Sequence, residues 1–186
     1  MDVREAGPHD HAGINAVVRD AFGDHEVVAD LVVELRGSGS VEVELVAIDG
    51  AKVVGHVALE RGWVDAEDAL ADVLVLSPLS VAPARQRAGL GTRLVEAALA
   101  AARDRGEAYV LLEGSPEYYG GRGFEPALPR GFLRPSERIP GPAFQVAVLD
   151  DRGLRGRLVY PDAFWRHDAV GLRGEALAQA QARFGD

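Results

Sequence analysis

One stretch of the chain, in which a strand pattern runs into a glycine loop and then a helix, constrains the fold most. An apolar run over residues 71–81 leads into a loop that carries Gly89 and Gly91, and a helical pattern follows to about Arg105. Such a long apolar run predicts a strand buried on both faces, with helices on both sides of its sheet. Because Pro78 cannot donate to a strand ladder, it predicts a bulge or an edge position there.

The rest of the chain alternates between helical and strand patterns, with Asp10 as a predicted helix N-cap and Asp49-Gly50 as a hairpin signal. Helical spacing occurs in residues 10–22, 27–35, 115–120 and 175–184. Strand patterns occur in residues 41–48, 52–60, 109–112, 143–149 and 158–160, and residues 126–142 are predicted to be an extended loop. This order predicts an α/β fold with a mixed sheet.

Composition excludes several classes of function. The chain has 186 residues, a net charge of −9 and no cysteine. It therefore has no disulfide framework, no thiolate nucleophile and no zinc site built on cysteine. The acidic balance argues against nonspecific binding to nucleic acid, which needs clustered cations. Since the polar N-terminus predicts no secretory signal, and no apolar run approaches the ~20 residues of a membrane span, we expect a cytoplasmic protein.

The loop between strand and helix has the character of an anion site. The segment from Val73 to Val95 contains three arginines, Arg85, Arg87 and Arg93, and no acidic residue. Glycines let a phosphate approach the unpaired amide groups of a helix start. The simpler alternative is that the glycines serve close packing and the arginines solubility.

Two nucleotide-binding motifs can be compared with this loop. A Walker A loop ends in Gly-Lys-Ser/Thr, and the only lysine, Lys52, lies between Ala51 and Val53, so that motif is absent. A dinucleotide fingerprint needs a third glycine where Leu94 stands, although Glu113 lies near the place of a ribose-binding acid. A dinucleotide-dependent oxidoreductase is therefore kept as an alternative.

The segment Gln86-Arg87-Ala88-Gly89-Leu90-Gly91 resembles the Q/R-x-x-G-x-G/A signature of the GNAT N-acetyltransferase superfamily. Further pieces of the resemblance follow in the family's order: Val53–Val57, Ser80–Pro83, the helix of residues 92–105, and Tyr119–Phe124. The resemblance predicts a GNAT domain over residues 1–150. The remaining residues, 151–186, resemble the C-terminal extension of one bacterial branch, and we expect them to pack on the same domain.

The resemblance implies a GNAT-type fold, with a mixed, twisted sheet flanked by helices and two central parallel strands splayed apart. It implies acetyl-CoA as cosubstrate and no metal. The residues expected to contact the cosubstrate are Leu79, Ser80, Val81, Gln86, Arg87, Ala88, Gly89, Leu90, Gly91 and Thr92.

In this family, the acceptor amine attacks the thioester directly. The resemblance implies that the Val81 N–H stabilises the oxyanion and that Tyr119 protonates the departing CoA thiolate. Tyr119 is preferred to Tyr118 because of its spacing to Gly123-Phe124. The chain departs from the family at Leu112, where an asparagine is common. Glu113 and Glu60 are candidates for a general base, and exposed surface carboxylates are the simpler interpretation of both.

Two other classes of function remain as alternatives to an N-acetyltransferase. One is a non-catalytic acyl-CoA-binding or sensor module, and the other is the oxidoreductase. The acidic surface favours a small amine or a basic peptide as acceptor over nucleic acid. No membrane partner is expected, and homodimers are common among GNAT relatives.

Overall fold

The computed structural model describes residues 2–23 and 26–184. The helices are α1 (His11–Phe22), α2 (Glu26–Ser38), α3 (Leu90–Asp104), α4 (Pro116–Tyr119), α5 (Asp162–Arg166) and α6 (Gly174–Phe184). The strands are β1 (Asp2–Glu5), β2 (Val41–Asp49), β3 (Lys52–Asp65), β4 (Leu70–Val81), β5 (Tyr109–Glu113), β6 (Glu125–Pro126), β7 (Phe132–Leu133), β8 (Phe144–Val148) and β9 (Gly156–Val159). None of the helices within the described ranges combines the length and apolar character that a membrane crossing requires.

The chain forms two compact units, and the first consists of residues 1–60 together with Leu76–Arg105. Its strands β1, β2 and β3 pair antiparallel in that order. A core cluster joins α1 and α2 to one face of the sheet, with Ile14, Val32 and Val46 among its members. Helix α3 packs on the other face, where a Cβ added at Gly55 would lie 2.8 Å from Leu94. Gly55 is therefore a point of close approach between strand and helix.

The second unit consists of Arg61–Val75 and Gly106–Asp186. Here β4 and β5 are parallel, with the pairs Leu74–Val110 and Val75–Leu111, and β8 pairs antiparallel with both β5 and β6. Strand β9 pairs with the end of β3 and with β7. Parallel and antiparallel pairs thus share one sheet, which confirms the predicted α/β fold with a mixed sheet.

Most elements lie where the sequence predicts them, and the differences have physical causes. Strand β3 continues beyond the predicted end at residue 60, because its last residues pair with the distant β9. The predicted loop of residues 126–142 contains β7, which is stabilised by the same strand. Pro78 is buried in β4 after a cis peptide bond. Strand β4 lies between β3 and β5, but its register with β5 covers Leu74 and Val75, so Pro78 lies beyond that pairing.

Asp10 stands at the N-cap of α1 but forms no side-chain cap bond to it. Its buried carboxylate instead accepts hydrogen bonds from Arg4, at 2.7 and 2.9 Å, and from the Gly7 N–H at 2.8 Å. The Arg4 hydrogen bonds hold the pKa of Asp10 far below its usual range, against the effect of burial. Asp10 therefore fixes the turn that precedes α1.

A buried polar cluster joins α2, β2 and β3 in the first unit. Glu44 accepts two hydrogen bonds from Arg36, at 2.6 and 3.2 Å, and one from His56 Nε2 at 3.0 Å. Burial alone would raise the pKa of Glu44, but the hydrogen bonds from His56 and Arg36 outweigh it and lower the pKa to about 2. Burial lowers the pKa of His56, which favours the neutral imidazole.

The Glu44 cluster predicts a pH-dependent stability. Because the folded-state pKa of Glu44 is depressed, its contribution is present above about pH 4.5 and is lost as pH falls towards 2. We expect Glu44→Gln to lower the free energy of unfolding at pH 7 by about 3 kcal/mol, and by less at pH 3. Urea denaturation at both pH values measures this. An equal loss at pH 7 and pH 3 would contradict the electrostatic origin.

Candidate functional site

The end of β4 leads into the loop that the sequence predicts as an anion site. Ser80 is buried, whereas Leu79 and Val81 on either side of it are partly exposed. The Ala82 N–H donates to the Val54 carbonyl at 2.9 Å, and Gln86 Nε2 donates to the Val81 carbonyl at 3.1 Å. These bonds tie the start of the loop to the sheet.

The loop backbone turns sharply before α3. Arg87 has a φ of 60° and Gly89 a φ of 80°, so two residues in three adopt the left-handed conformation. Such a conformation is rare for a residue with a side chain, and turns that contain it can direct successive amide groups to one side, as in anion-binding nests. The segment Pro83–Gly89 is exposed, so these amides can be reached by a ligand.

Helix α3 begins at Leu90 with Gly89 as its N-cap. Gly89 has no side chain with which to cap the first turn, and the earliest bond of the helix runs from Arg93 N–H to the Gly89 carbonyl at 3.1 Å. The first amide groups of an α-helix in general have no acceptor inside it and carry the positive end of its dipole. Leu90 and Leu94 are buried and hold this helix start in the core.

The arginines of this region differ in their partners. Arg85 forms an ion pair with Asp49 of the β2–β3 hairpin. Arg87 is exposed, and among the described residues its guanidinium forms no ion pair. Arg85 thus holds the hairpin against the loop, while Arg87 leaves a positive charge beside the loop amides.

Tyr119 lies in the second unit, at the end of α4. Ser115 caps this helix by accepting from the Tyr118 N–H, as predicted. The Tyr119 ring meets Phe124 edge-on at 5.7 Å and Tyr118 at 4.9 Å between centroids. Burial, assisted by Tyr118, raises the pKa of Tyr119, so the phenol keeps its proton at any physiological pH.

The segment before α4 is held in place by residues of β8 and the residue directly before that strand. A Cβ at Gly114 would lie 2.5 Å from the Tyr119 ring, so only glycine lets the ring pack here. The Gly114 N–H donates to the Ala143 carbonyl at 2.9 Å, and Gln145 Nε2 donates to the Gly114 carbonyl at 3.2 Å. Gln145 is buried directly opposite Leu112. Gln145 therefore ties the segment before α4 to β8.

The interpretation of Glu60 and Glu113 as surface carboxylates is wrong. Glu60 is 1% exposed, and its Oε2 has no partner among the described residues. Its pKa is well above the usual range, mainly because of burial. Glu113 is only partly exposed and accepts hydrogen bonds from the Gly171 N–H at 2.9 and 3.2 Å. Local sequence does not indicate this, because Gly171 lies far along the chain.

Comparison with known proteins agrees with this geometry. A family model described as "Acetyltransferase (GNAT) domain" matches residues 2–127. The uncharacterized N-acetyltransferase YjhQ of Escherichia coli (strain K12) is 34% identical over 119 residues, which are 63% of this chain and 65% of that protein. The chain therefore spans slightly less than two thirds of the length of this curated relative.

Two solved structures are similar over most of their length. The GNAT family N-acetyltransferase YhbS from E. coli, in complex with CoA, has a TM-score of 0.81 and 32% identity over 89% of this chain and 92% of that one. A GNAT family acetyltransferase from Brucella melitensis, in complex with acetyl-CoA, has a TM-score of 0.73 and 28% identity over 88% and 97%. With the family model covering more than half of its residues, this chain belongs to the GNAT acetyltransferase family, a class of acetyl-CoA-dependent acyltransferases.

Proposed function

We propose that this protein transfers the acetyl group of acetyl-CoA to a primary amine by direct attack of the amine on the thioester. The observation that carries the proposal is the exposed, left-handed backbone at Arg87 and Gly89, directly before an uncapped helix start. Two relatives, at 32% and 28% identity, have been crystallised with CoA or acetyl-CoA.

The first unit holds the donor in this proposal. Residues Gln86, Arg87, Ala88, Gly89, Leu90 and Gly91, with the Thr92 hydroxyl, hold the pyrophosphate, although the Gln86 N–H itself already donates to the Pro83 carbonyl at 3.3 Å. Backbone groups of the partly exposed Leu79 and Val81 contact pantetheine, with Ser80 buried between them. Main-chain amides carry most of the binding, since one exposed charge near a helix start contributes only about 0.3–1 kcal/mol.

The reaction requires two proton transfers and the stabilisation of one negative charge. The acceptor amine gives up a proton and attacks the thioester carbonyl, forming the C–N bond. The Val81 N–H stabilises the tetrahedral oxyanion. When the C–S bond breaks, Tyr119, which is protonated at neutral pH, donates its proton to the CoA thiolate. A net charge of −9 favours a cationic small amine or a basic peptide as acceptor.

Gly89→Glu tests the pyrophosphate loop. The variant adds a side chain at a φ of 80° and a negative charge among the amides, so we expect CoA affinity to fall by about tenfold or more. Isothermal calorimetry with CoA measures this. Gly106→Glu is a matched control, because it makes the same change at a left-handed glycine beyond the other end of α3. If both variants bind CoA like the native protein, the loop does not hold the pyrophosphate.

Tyr119→Phe tests the acid. It removes only the hydroxyl, so we expect kcat at saturating acetyl-CoA to fall by about 10²-fold or more while the Kd for CoA changes less than about twofold. Thiol release from acetyl-CoA with a panel of primary amines measures turnover, and Tyr118→Phe is the control. Undiminished turnover would remove Tyr119 from the mechanism. Tight CoA binding with no turnover for the native protein would favour an acyl-CoA-binding module instead.

A further inference from the structure

A cavity of about 560 Å³ lies within the first unit, between α1 and the β2–β3 hairpin. The hairpin side is formed by Ile48 and residues 50–53, and the α1 side by one stripe of the helix: Gly13, Ala16, Val17 and Asp20. The residues that the proposed function assigns to acetyl-CoA all lie within the described ranges, and none of them lines this cavity. Its size is typical of a site for a small molecule.

The two sides of the cavity are in direct contact at Gly13. A Cβ added there would lie 2.7 Å from Val53 Cγ2, so a larger residue would push the hairpin side chain away from the helix. Val17 is buried, and Ile48 and Val53 are half-buried, which makes this part of the wall apolar. It can cover the alkyl part of a ligand without leaving a polar group of the protein unpaired.

Some of the charged residues that line the cavity are already paired with one another. Arg4 donates to the two carboxylate oxygens of Asp10, at 2.7 and 2.9 Å. His9 lies beside this pair, with Nε2 3.5 Å from an Asp10 oxygen. The charges of Arg4 and Asp10 are therefore compensated within the turn before α1.

Lys52 and Asp20, the other charged residues of the cavity wall, have no such partner. Within residues 2–23 and 26–184, neither side chain forms an ion pair or a hydrogen bond, and both are exposed. Lys52 comes from the hairpin and Asp20 from α1, so opposite charges stand on the two sides of one cavity. Their charged atoms are too far apart for a direct ion pair, which leaves space for a ligand between them.

We propose that this cavity binds a small zwitterion, whose carboxylate pairs with Lys52 and whose ammonium group pairs with Asp20. A ligand that carries both charges gives each residue a partner, whereas a simple amine or a simple carboxylate leaves one of them without one. The apolar wall at Val17 and Val53 covers the alkyl part of the ligand. Amino acids have this chemistry. Because exposed ion pairs each contribute little, we expect a Kd of about 1 mM.

Titration of the protein with L-leucine and with δ-aminovalerate tests the proposal, because these zwitterions carry their two charges at a short and at a long separation. Lys52 is the only lysine of the chain. Reductive ¹³C-methylation, which keeps the positive charge, therefore gives Lys52 a methyl resonance of its own, and Lys52→Arg identifies that resonance by its loss. We expect at least one zwitterion to shift it. The affinity should be about two- to fivefold higher than for the analogues that lack one charge: isoamylamine and isocaproate for leucine, butylamine and valerate for δ-aminovalerate.

Asp20→Asn and Lys52→Gln each remove one charge, and ligand-observed NMR on the unmodified proteins measures the effect. We expect each variant to bind the zwitterion about two- to fivefold more weakly than the native protein. Asp30→Asn is the matched control, because Asp30 is exposed on α2 and does not line the cavity. The proposal is overturned if neither zwitterion shifts the Lys52 resonance at about 50 mM, if the analogues with one charge bind as tightly, or if both variants bind like the native protein. These measurements use no acetyl-CoA, so their outcome is independent of the proposed acetyl transfer.

Discussion

The amide groups at the start of α3 are the physical feature on which the proposed chemistry depends. They lack acceptors within the helix, and Gly89 cannot cap them. Their positions are fixed by buried groups on both sides: Ser80 precedes the loop in β4, and Leu90 and Leu94 anchor the helix in the core. An exposed loop between two buried anchors is ordered before a ligand arrives, which reduces the entropy lost on binding.

Sequence alone predicted the elements whose signals are local. The hydrophobic spacing of α1 and α3, the Ser115 cap and the β2–β3 hairpin all depend on residues within a few positions of one another. Gly89 and Gly91 of the candidate anion site also stand close together in the sequence, which is why the loop before α3 could be located there. The left-handed φ of Arg87 could not, because arginine gives no sign of it.

Features that depend on distant partners were missed. Strand β3 continues to Asp65 because β9 pairs with its end, and Glu113 is enclosed because Gly171 donates to it. A charged residue at a strand end usually predicts a surface position. Only the three-dimensional pairing shows that a distant backbone N–H satisfies it.

Leu112, the position at which the chain departs from the family, is buried beside a buried polar residue, Gln145. The two residues are direct partners across β5 and β8, so their side chains leave the same face of the sheet. Gln145 uses its Nε2 to hold the Gly114 carbonyl, and so fixes the segment on which Tyr119 packs.

Glu113 and Tyr119 lie at the two ends of one short segment of the chain. Burial raises the pKa of both groups, but the consequence for protonation differs between them. In both groups burial disfavours the charged form. For the phenol, whose pKa is already high, this keeps the proton on the group that is proposed to donate it. For the carboxyl, the same effect brings the pKa to about 7, where the group can accept a proton and release it again.

Because the C-terminal extension supplies both Gly171 and Tyr160, it controls the surroundings of the carboxyl. The packing of Tyr119 depends instead on Gly114 and Phe124. The surroundings of Glu113 and of Tyr119 are thus set by different parts of the chain.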